Sequence, residues 1–187
     1  MTTERREYLA LVGGAAAALA GCSSGGTDTT TEPEETTAAT TAAPLTDTTV
    51  ELHTEDVDED SVFYFDPVGV HVAPGTTVTF EVKSGSHSTT AYAKNNPNAD
   101  TRRIPDDADA WDSAVMKTVG ETFEHTFSVE GTYDFYCIPH KPLGMVGRVV
   151  CGDPGGPAEG SMPPDGTVPT SDRILREGAV SHADFSD

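Results

Sequence analysis

The segment YDFYCIPHKPLGMVGRVVC, residues 133–151, places a compact turn between two stretches that have the composition of β-strands. The turn has the pattern C-x2-H-x4-M, which brings Cys137, His140 and Met145 close together. Two prolines stiffen the turn, and a glycine before the methionine permits close approach of the backbone. The segment predicts a rigid loop that joins two strands and presents a thiolate, an imidazole and a thioether.

These three side chains are soft or borderline ligands, and together they suit copper. Two histidines, one cysteine and a weak axial methionine form the sites of electron-transfer copper proteins. Structural zinc prefers two or more cysteines, and methionine is a poor zinc ligand. A binuclear copper centre needs a second cysteine in the loop, where this chain has Lys141. The turn therefore predicts one copper per chain, cycling between Cu(I) and Cu(II), in an electron carrier and not an enzyme.

A second histidine ligand must come from elsewhere in the chain. The candidates are the five other histidines: His53, His71, His87, His125 and His182. His87 stands in KSGSHSTT, directly after the strand-like stretch TTVTFEV, and ligands gather at strand ends beside loops. We therefore predict His87 as the second nitrogen ligand and structural positions for the other four.

Residues 50–152 consist largely of short β-branched and aromatic segments, separated by turn sequences such as APGTT and VEGTY. Several segments alternate apolar and polar residues, as Val78, Phe80 and Val82 show, which is typical of strands with one buried face. The segments are TTVEL, SVFYF, VGVHV, TTVTFEV, ETFEHTFSV, GTYDFYC and GMVGRVVC. This pattern predicts an all-β domain, a Greek-key β-sandwich or barrel.

One polar stretch, residues 91–116, interrupts the strand pattern. A connection this long in a compact domain usually has a function or its own structure. We expect its last part, DDADAWDSAVM, to form a short helical turn, and Trp111 to anchor the insertion on the domain. Cys151 follows Val149 at period two, so we expect its thiol in the core.

The N-terminal sequence predicts an export signal followed by a flexible anchor. Residues 1–21 contain an Arg-Arg pair and an apolar stretch too short to span a bilayer. RREYLAL resembles a twin-arginine signal, and LAGC resembles a lipobox, which implies lipidation of Cys22; the alternative is an ordinary signal peptide cleaved elsewhere. Residues 22–49 are rich in threonine, alanine and acids, which predicts a disordered tether.

Residues 153–187 form a Gly/Pro-rich C-terminal tail. Its stretch SDRILREGA predicts a short helix with Ser171 or Asp172 as N-cap. The pattern leaves open whether the tail packs on the domain.

Charge excludes one class of partner. The 187 residues include 31 acidic and 11 basic side chains, which gives a formal charge of −20 and a pI of about 4.3. Nucleic-acid binding requires clustered lysine and arginine, so it is excluded. An acidic surface poor in lysine favours a protein that stays solvated in high salt, and hence a halophilic source.

The stretch FDPVGVHVAPGTTVTFEV, then His87, then IPDDADAWDS and the C-x2-H-x4-M segment, resembles the plastocyanin-like blue copper proteins. The similarity is greatest to the halocyanins of halophilic archaea, and it covers about residues 50–152. It implies a cupredoxin fold and one type 1 copper, with ligands carried over by position: His87, Cys137, His140 and Met145. It also implies an apolar exit patch for docking and electron transfer, formed by His140, Pro139, Pro142, Leu143 and Gly144.

The resemblance implies a monomeric lipoprotein on the extracytoplasmic face of the cell membrane. It would shuttle single electrons between membrane-bound partners such as a haem–copper oxidase or a cytochrome. Ser88 and Ile138 depart from the Asn/Thr and Ser/Thr of many relatives, which leaves the reduction potential open. Two alternatives are a copper carrier with an open, exchangeable site and an adhesive sandwich in which the turn residues have no metal.

Overall fold

The computed structural model describes residues 40–57 and 59–186, which form nine strands, two short α-helices and one 3₁₀ turn. The strands are β1 (Thr48–Val57), β2 (Asp60–Asp66), β3 (Gly69–Val72), β4 (Thr76–Val82), β5 (Thr90–Ala91), β6 (Thr122–Phe127), β7 (Gly131–Tyr136), β8 (Val146–Cys151) and β9 (Ala179–Val180). The helices are α1 (Ser171–Glu177) and α2 (His182–Ser186), and the 3₁₀ turn covers Lys141–Leu143. The predicted export signal, the lipidation site Cys22 and most of the predicted tether lie outside the described residues.

The strands form a four-stranded sheet in the order β2-β1-β4-β6 and a five-stranded sheet in the order β5-β7-β8-β3-β9. β1 is parallel to β4 and β3 is parallel to β8, whereas the other neighbours are antiparallel. The predicted all-β sandwich is confirmed, and each of the seven predicted segments contains a strand. The sequence did not predict β5 and β9, because two residues are too few to show an alternation.

The main core lies between the two sheets. Val78, Phe80 and Val82 of β4 are fully buried, whereas Thr79 and Glu81 between them are only partly buried, as the alternation predicts. The opposite sheet contributes alternating residues of β7 and β8: Tyr133, Phe135, Val149 and Cys151. The predicted core position of Cys151 is confirmed.

The five-stranded sheet is covered on its outer face as well. Every residue of β7 and β8 is buried, although an alternating strand leaves one face open in a simple sandwich. The covering residues are Tyr92 and Ala99 of the insertion and Val168 of the C-terminal segment, residues 153–186. With Tyr136 of β7 and Val146 of β8 they form a second apolar cluster. The C-terminal segment therefore packs on the domain, which the sequence left open.

The last part of the insertion pairs with the segment that follows β4, through the bridges His87–Met116 and Thr90–Asp112. Trp111 is 4% exposed and packs edge-to-face on Phe127 with ring centroids 5.3 Å apart, so its predicted anchoring role is confirmed. The helical turn expected in DDADAWDSAVM is wrong. The backbone N–H of Ser113 donates to Thr89 O, so this donor is paired across segments and not within a helical turn.

The N-terminal boundary of the domain also needs a correction. Leu45 pairs with Val72 at the end of β3, and the backbone N–H of Ala42 donates to Leu175 O at 2.7 Å. The ordered chain thus begins before residue 50. Composition alone predicts disorder here, because backbone partners supplied by β3 and α1 leave no trace in the local sequence.

The C-terminal helix α1 forms where the sequence predicts it. Its N-cap is Thr170, whose hydroxyl accepts a hydrogen bond from the Arg173 N–H at 3.3 Å, so the predicted caps Ser171 and Asp172 are wrong by one or two positions. Ile174 of α1 is buried in a third small cluster beneath the helix. Within the described residues, no helix combines the length and the apolar composition needed to cross a membrane.

Candidate metal centre

Three points of the chain meet at one end of the sandwich. Cys137 directly follows β7 and Met145 directly precedes β8, and these two strands pair antiparallel. The loop between them therefore starts and finishes in the same place, with His140 in its middle. His87 lies in the segment after β4, where its backbone pairs with Met116 of the insertion.

The nitrogen and sulfur atoms of the site form a compact triangle. His87 Nδ1 is 3.6 Å from Cys137 Sγ, His140 Nδ1 is 3.4 Å from the same sulfur, and the two Nδ1 atoms are 3.2 Å apart. A point equidistant from the three atoms lies about 2 Å from each, close to the metal–ligand distances of such donors. Among the described residues, this is the one cluster of three such groups with metal-binding spacing. The donor set fits copper.

The hydrogen bonds of His87 determine which ring nitrogen faces the triangle. Its Nε2 lies 2.8 Å from the carbonyl oxygen of Ser84 and 3.0 Å from the hydroxyl of Thr54. A carbonyl oxygen only accepts, so Nε2 must carry the proton. The lone pair is then on Nδ1, directed at the sulfur and at His140. This arrangement is the usual way in which an outer hydrogen bond orients a metal-binding imidazole.

Ser88 connects the two segments that carry the site. Its backbone N–H donates to Cys137 Sγ at 3.3 Å, and its hydroxyl accepts the backbone N–H of Ile138 at 2.8 Å. The N–H donor stabilises a thiolate, and the hydroxyl fixes the start of the loop. The serine at this position, a departure from many relatives, thus still ties one ligand segment to the other.

The loop is closed by its own backbone. Cys137 N–H donates to Met145 O at 3.1 Å, and Met145 N–H donates to His140 O at 3.2 Å. Gly144 adopts a left-handed backbone conformation with φ of 87°, in which a residue with a side chain would be strained. The predicted stiff turn is therefore present, and its last residues return the chain to β8.

Burial determines the protonation of the site. It lowers the pKa of His87 to about 4, with a smaller contribution from the nearby His140, and it also lowers the pKa of His140. Both imidazoles are thus neutral near pH 7, the form that binds metals. Burial raises the pKa of the Cys137 thiol, so binding a cation as thiolate releases a proton.

His140 is the member of the set nearest the surface. His87, Cys137 and Met145 are at most 1% exposed, whereas His140 is half-buried. Its ring is covered by Phe63 of β2, which stacks on it with centroids 3.8 Å apart and planes 14° from parallel. Phe63 could not be singled out from the sequence, because it lies in an ordinary strand pattern far from the loop.

The exit patch is exposed around this ring. Pro139, Pro142 and Gly144 are exposed, and Leu143 is 64% exposed. Beside it lies a groove of about 350 Å³, lined mainly by apolar side chains that include Leu143 and Phe185. The loop thus presents an apolar surface next to the most accessible ring of the site.

The other histidines lie in other parts of the fold. His53 is in β1, His71 in β3, His125 in β6 and His182 at the start of α2. His125 stacks on Trp111 and His182 on Tyr64. None of the four belongs to the cluster with Cys137 within the described part of the chain.

Comparisons with known proteins place this architecture in a family. The chain matches the family model for copper binding proteins, plastocyanin/azurin family, over residues 51–152. It is 32% identical to the plastocyanin of Solanum tuberosum over 96 residues, which is 49% of this chain and 90% of that protein. It is 34% identical to the chloroplastic plastocyanin of Oryza sativa subsp. indica over 91 residues, 47% of this chain and 54% of that protein. The pseudoazurin structure from Methylobacterium extorquens AM1 gives a TM-score of 0.47 at 24% identity, covering 70% of this chain and 91% of that one.

The chain therefore belongs to the plastocyanin/azurin family of copper binding proteins. It is a cupredoxin that binds one copper and transfers electrons to redox partners, and it is not an enzyme. The predictions of the fold class, of copper and of an electron carrier are confirmed. The adhesive alternative, in which the turn residues have no metal, is wrong, because the chain belongs to a family of copper binding proteins and its turn residues lie in the metal-binding cluster.

Proposed function

We propose that His87, Cys137, His140 and Met145 bind the copper as a type 1 centre in a membrane-anchored electron carrier of the halocyanin type. The observation that carries the ligand assignment is the convergence of the Nδ1 atoms of His87 and His140 and the sulfur of Cys137 within 3.2–3.6 Å of one another. The bound copper supplies a one-electron couple. The residues of the chain hold it, exclude water and offer one edge to a partner.

The chain keeps the site in one geometry. Ser84 fixes the ring of His87, Ser88 fixes the sulfur and the start of the loop, and the backbone of Met145 closes the loop. Buried ligands in a loop stiffened by prolines resist rearrangement when the charge of the site changes. This rigidity favours an electron carrier over a copper carrier, which needs an exchangeable site.

Electrons would pass through the half-buried ring of His140. The exit patch includes this ring and the exposed side chain of Leu143, which is 64% accessible. A partner that buries this patch would approach His140 and exclude water between the two redox groups. Membrane-bound donors and acceptors, such as a cytochrome or a haem–copper oxidase, are the partners we propose for a monomeric carrier.

The anchor is proposed from the sequence at residues 1–22, and the described domain is compatible with it. Leu45 lies beside Val72, which pairs with Cys151 at the far end of β8 from Met145. Six residues of strand separate the two ends, roughly 17 Å. A tether that enters there would leave the exit patch free, on the extracytoplasmic face of the membrane.

The ligand assignment is tested by adding Cu(II) to the purified protein and recording visible absorption and EPR spectra. We expect an intense blue thiolate-to-copper band with narrow hyperfine splitting. Cys137→Ala should lose the band and remain folded, and the matched control Cys151→Ala should stay blue. A blue Cys137→Ala protein would refute the assignment.

His140→Gly should regain copper binding with added imidazole, since the ring lies at the surface.

The anchor is tested separately by cell fractionation of the full chain in its host. Cys22→Ser should move the protein from the membrane fraction to the soluble extracytoplasmic fraction and leave the copper spectrum unchanged. Retention of Cys22→Ser in the membrane would contradict the lipid anchor while leaving the copper site intact.

A further inference from the structure

Lys141 directly follows His140, and its side chain is buried in spite of its charge. The side chain is only 9% exposed, and Lys141 is the one buried residue of the 3₁₀ turn. Taking an ammonium group out of water is costly unless other groups replace the lost hydration. The surroundings of this lysine must therefore offset that cost.

A cage of oxygens and aromatic rings replaces the lost hydration of the Lys141 ammonium group. Lys141 Nζ donates to the backbone oxygen of Asn98 and lies 3.4 Å from Asp165 Oδ2. It also stands over the rings of Tyr92 and Tyr136, at 5.6 Å and 5.1 Å from their centroids. Carbonyl, carboxylate and two aromatic faces are all favourable partners for a desolvated cation.

The walls of this cage come from different segments of the chain. Tyr92 and Asn98 belong to the insertion, Tyr136 ends β7, and Asp165 belongs to the C-terminal segment. Tyr92 hydroxyl donates to Asp165 Oδ2 at 2.7 Å, which joins two walls directly. Asn98 holds its carbonyl toward the lysine in a left-handed conformation, with φ of 60°. One ammonium group thus connects the ligand loop to both segments that cover the outer face of the sheet.

The loop between β7 and β8, residues 137–145, has few other contacts to the insertion and the C-terminal segment. The residues after Lys141, from Pro142 to Gly144, are exposed. Apart from the contacts of Ser88 at the start of the loop, the backbone hydrogen bonds of the loop are internal. Lys141 lies between two of the proposed ligands, His140 before it and Met145 four residues after it. Any motion of this turn therefore displaces one or both of them.

We propose that Lys141 is a positioning residue of the copper centre. Its ammonium fastens the ligand loop to the insertion and the C-terminal segment, and so fixes the places of His140 and Met145. This role deepens the proposed function and rests on it, since it matters to electron transfer only if these two side chains are ligands. In this role the insertion and the C-terminal segment help to hold the ligands in place.

The test compares Lys141→Met with Lys94→Met, which changes an exposed lysine of the insertion. In metal-free protein, hydrogen exchange of the Leu143 and Met145 amides should accelerate about tenfold or more in Lys141→Met, because a buried charged hydrogen bond is lost. The amides of β4 should keep their rates. After Cu(II) is added, Lys141→Met should show altered EPR hyperfine splitting and an altered ratio of its visible bands, and Lys94→Met should match the wild type.

Unchanged loop exchange and an unchanged copper spectrum in Lys141→Met would overturn the proposal. A uniform acceleration of all amides would overturn it as well, since that is the signature of general destabilisation. If Lys141→Met does not fold, the same measurements are made on Asp165→Asn, which keeps the shape of the cage and removes one charge. Faster exchange confined to the loop amides would support the proposal, and unchanged loop exchange would overturn it. If the wild-type protein shows no blue band with Cu(II), the proposed function is refuted. The exchange data would still show whether Lys141 holds the loop in place.

Discussion

Ser88 contributes one backbone contact and one side-chain contact to the metal centre. Its N–H faces the sulfur of Cys137, and its hydroxyl receives the N–H of Ile138. Its own position is fixed because the neighbouring Thr89 N–H donates to Ser113 Oγ at 2.9 Å. A short side chain suffices here, since the insertion already holds the backbone on which it stands.

Ser88→Ala should lower the free energy of unfolding of the metal-free protein by about 1–2 kcal/mol, because the Ile138 N–H loses its acceptor in a mostly buried place. Urea denaturation measures the effect. Ser88→Thr is the control, since it keeps the hydroxyl and should retain most of the stability. Equal losses in the two variants would show that the hydroxyl contributes nothing.

The spacing C-x2-H-x4-M predicted three members of the site, and the strand end before His87 predicted the fourth. The sequence did not predict Phe63 over His140, or the hydrogen bonds of Ser84 and Thr54 to His87. Phe63 and Thr54 are far from these histidines in the chain, and Ser84, three residues before His87, acts through a backbone carbonyl that every residue type has. Lys141 is a similar case, because a lysine in a loop normally remains solvated.

Among the larger elements, the insertion and the C-terminal segment form a layer that holds a buried charge network. Asp134 of β7 is fully buried and lies 2.8 Å from the Nε atoms of both Arg103 and Arg148. Both guanidinium groups also donate to Ala158 O in the C-terminal segment, at 2.9 Å and 3.1 Å. The carboxylate thus connects the sheet with both covering segments.

Asp134→Asn should lower the free energy of unfolding by about 3–5 kcal/mol, because two buried guanidinium groups lose their counter-charge. The matched control is Asp106→Asn, whose carboxylate pairs with Arg102 at 3.3 Å and is 85% exposed. This change should cost at most about 0.5 kcal/mol. Chemical denaturation of both variants measures the contrast, and similar losses would contradict a stabilising role for the buried network.

Strand alternation predicted the sandwich because each strand of the inner layers has one face in the core. It did not predict the third layer, because the polar insertion and the Gly/Pro-rich C-terminal segment that form it have no hydrophobic period. Both hold their places through backbone oxygens and single side chains. Ala158 O and Asn98 O are such contacts. An aspartate in the middle of β7 likewise predicts an exposed face in the sequence, and only the tertiary cover buries it.

Glu159 fixes the C-terminal segment in a way that depends on pH. Burial alone would raise the pKa of its carboxyl, but hydrogen bonds from Ser171 and Thr132, each 2.5 Å to Oε1, outweigh burial and hold this pKa below its usual 4.5. A carboxyl with a lowered pKa adds stability above the unfolded-state value and loses it as pH falls through the folded-state value. The stability difference between wild type and Glu159→Gln should therefore shrink from about pH 7 to about pH 3. Urea denaturation at both values tests this, and a constant difference would contradict it.

For the molecule as a whole, the excess of acidic charge is the dominant surface property. Six of the nine lysines and arginines within residues 40–57 and 59–186 are already in ion pairs. The formal charge of the chain is −20, and most carboxylates in the described part of the chain are outside these ion pairs. Their mutual repulsion destabilises the folded state at low ionic strength.

The thermal midpoint of the metal-free protein should therefore rise by several degrees between about 0.1 M and about 1 M KCl, as the screening length falls from about 10 Å to about 3 Å. Calorimetry over a salt series measures this rise. The stability loss in Asp134→Asn is the internal control: it should stay constant along the series, because buried charges are screened much less than exposed ones. A midpoint that stays flat or falls with salt would mean that surface repulsion does not limit this fold, and the halophilic interpretation of its composition would lose its physical basis.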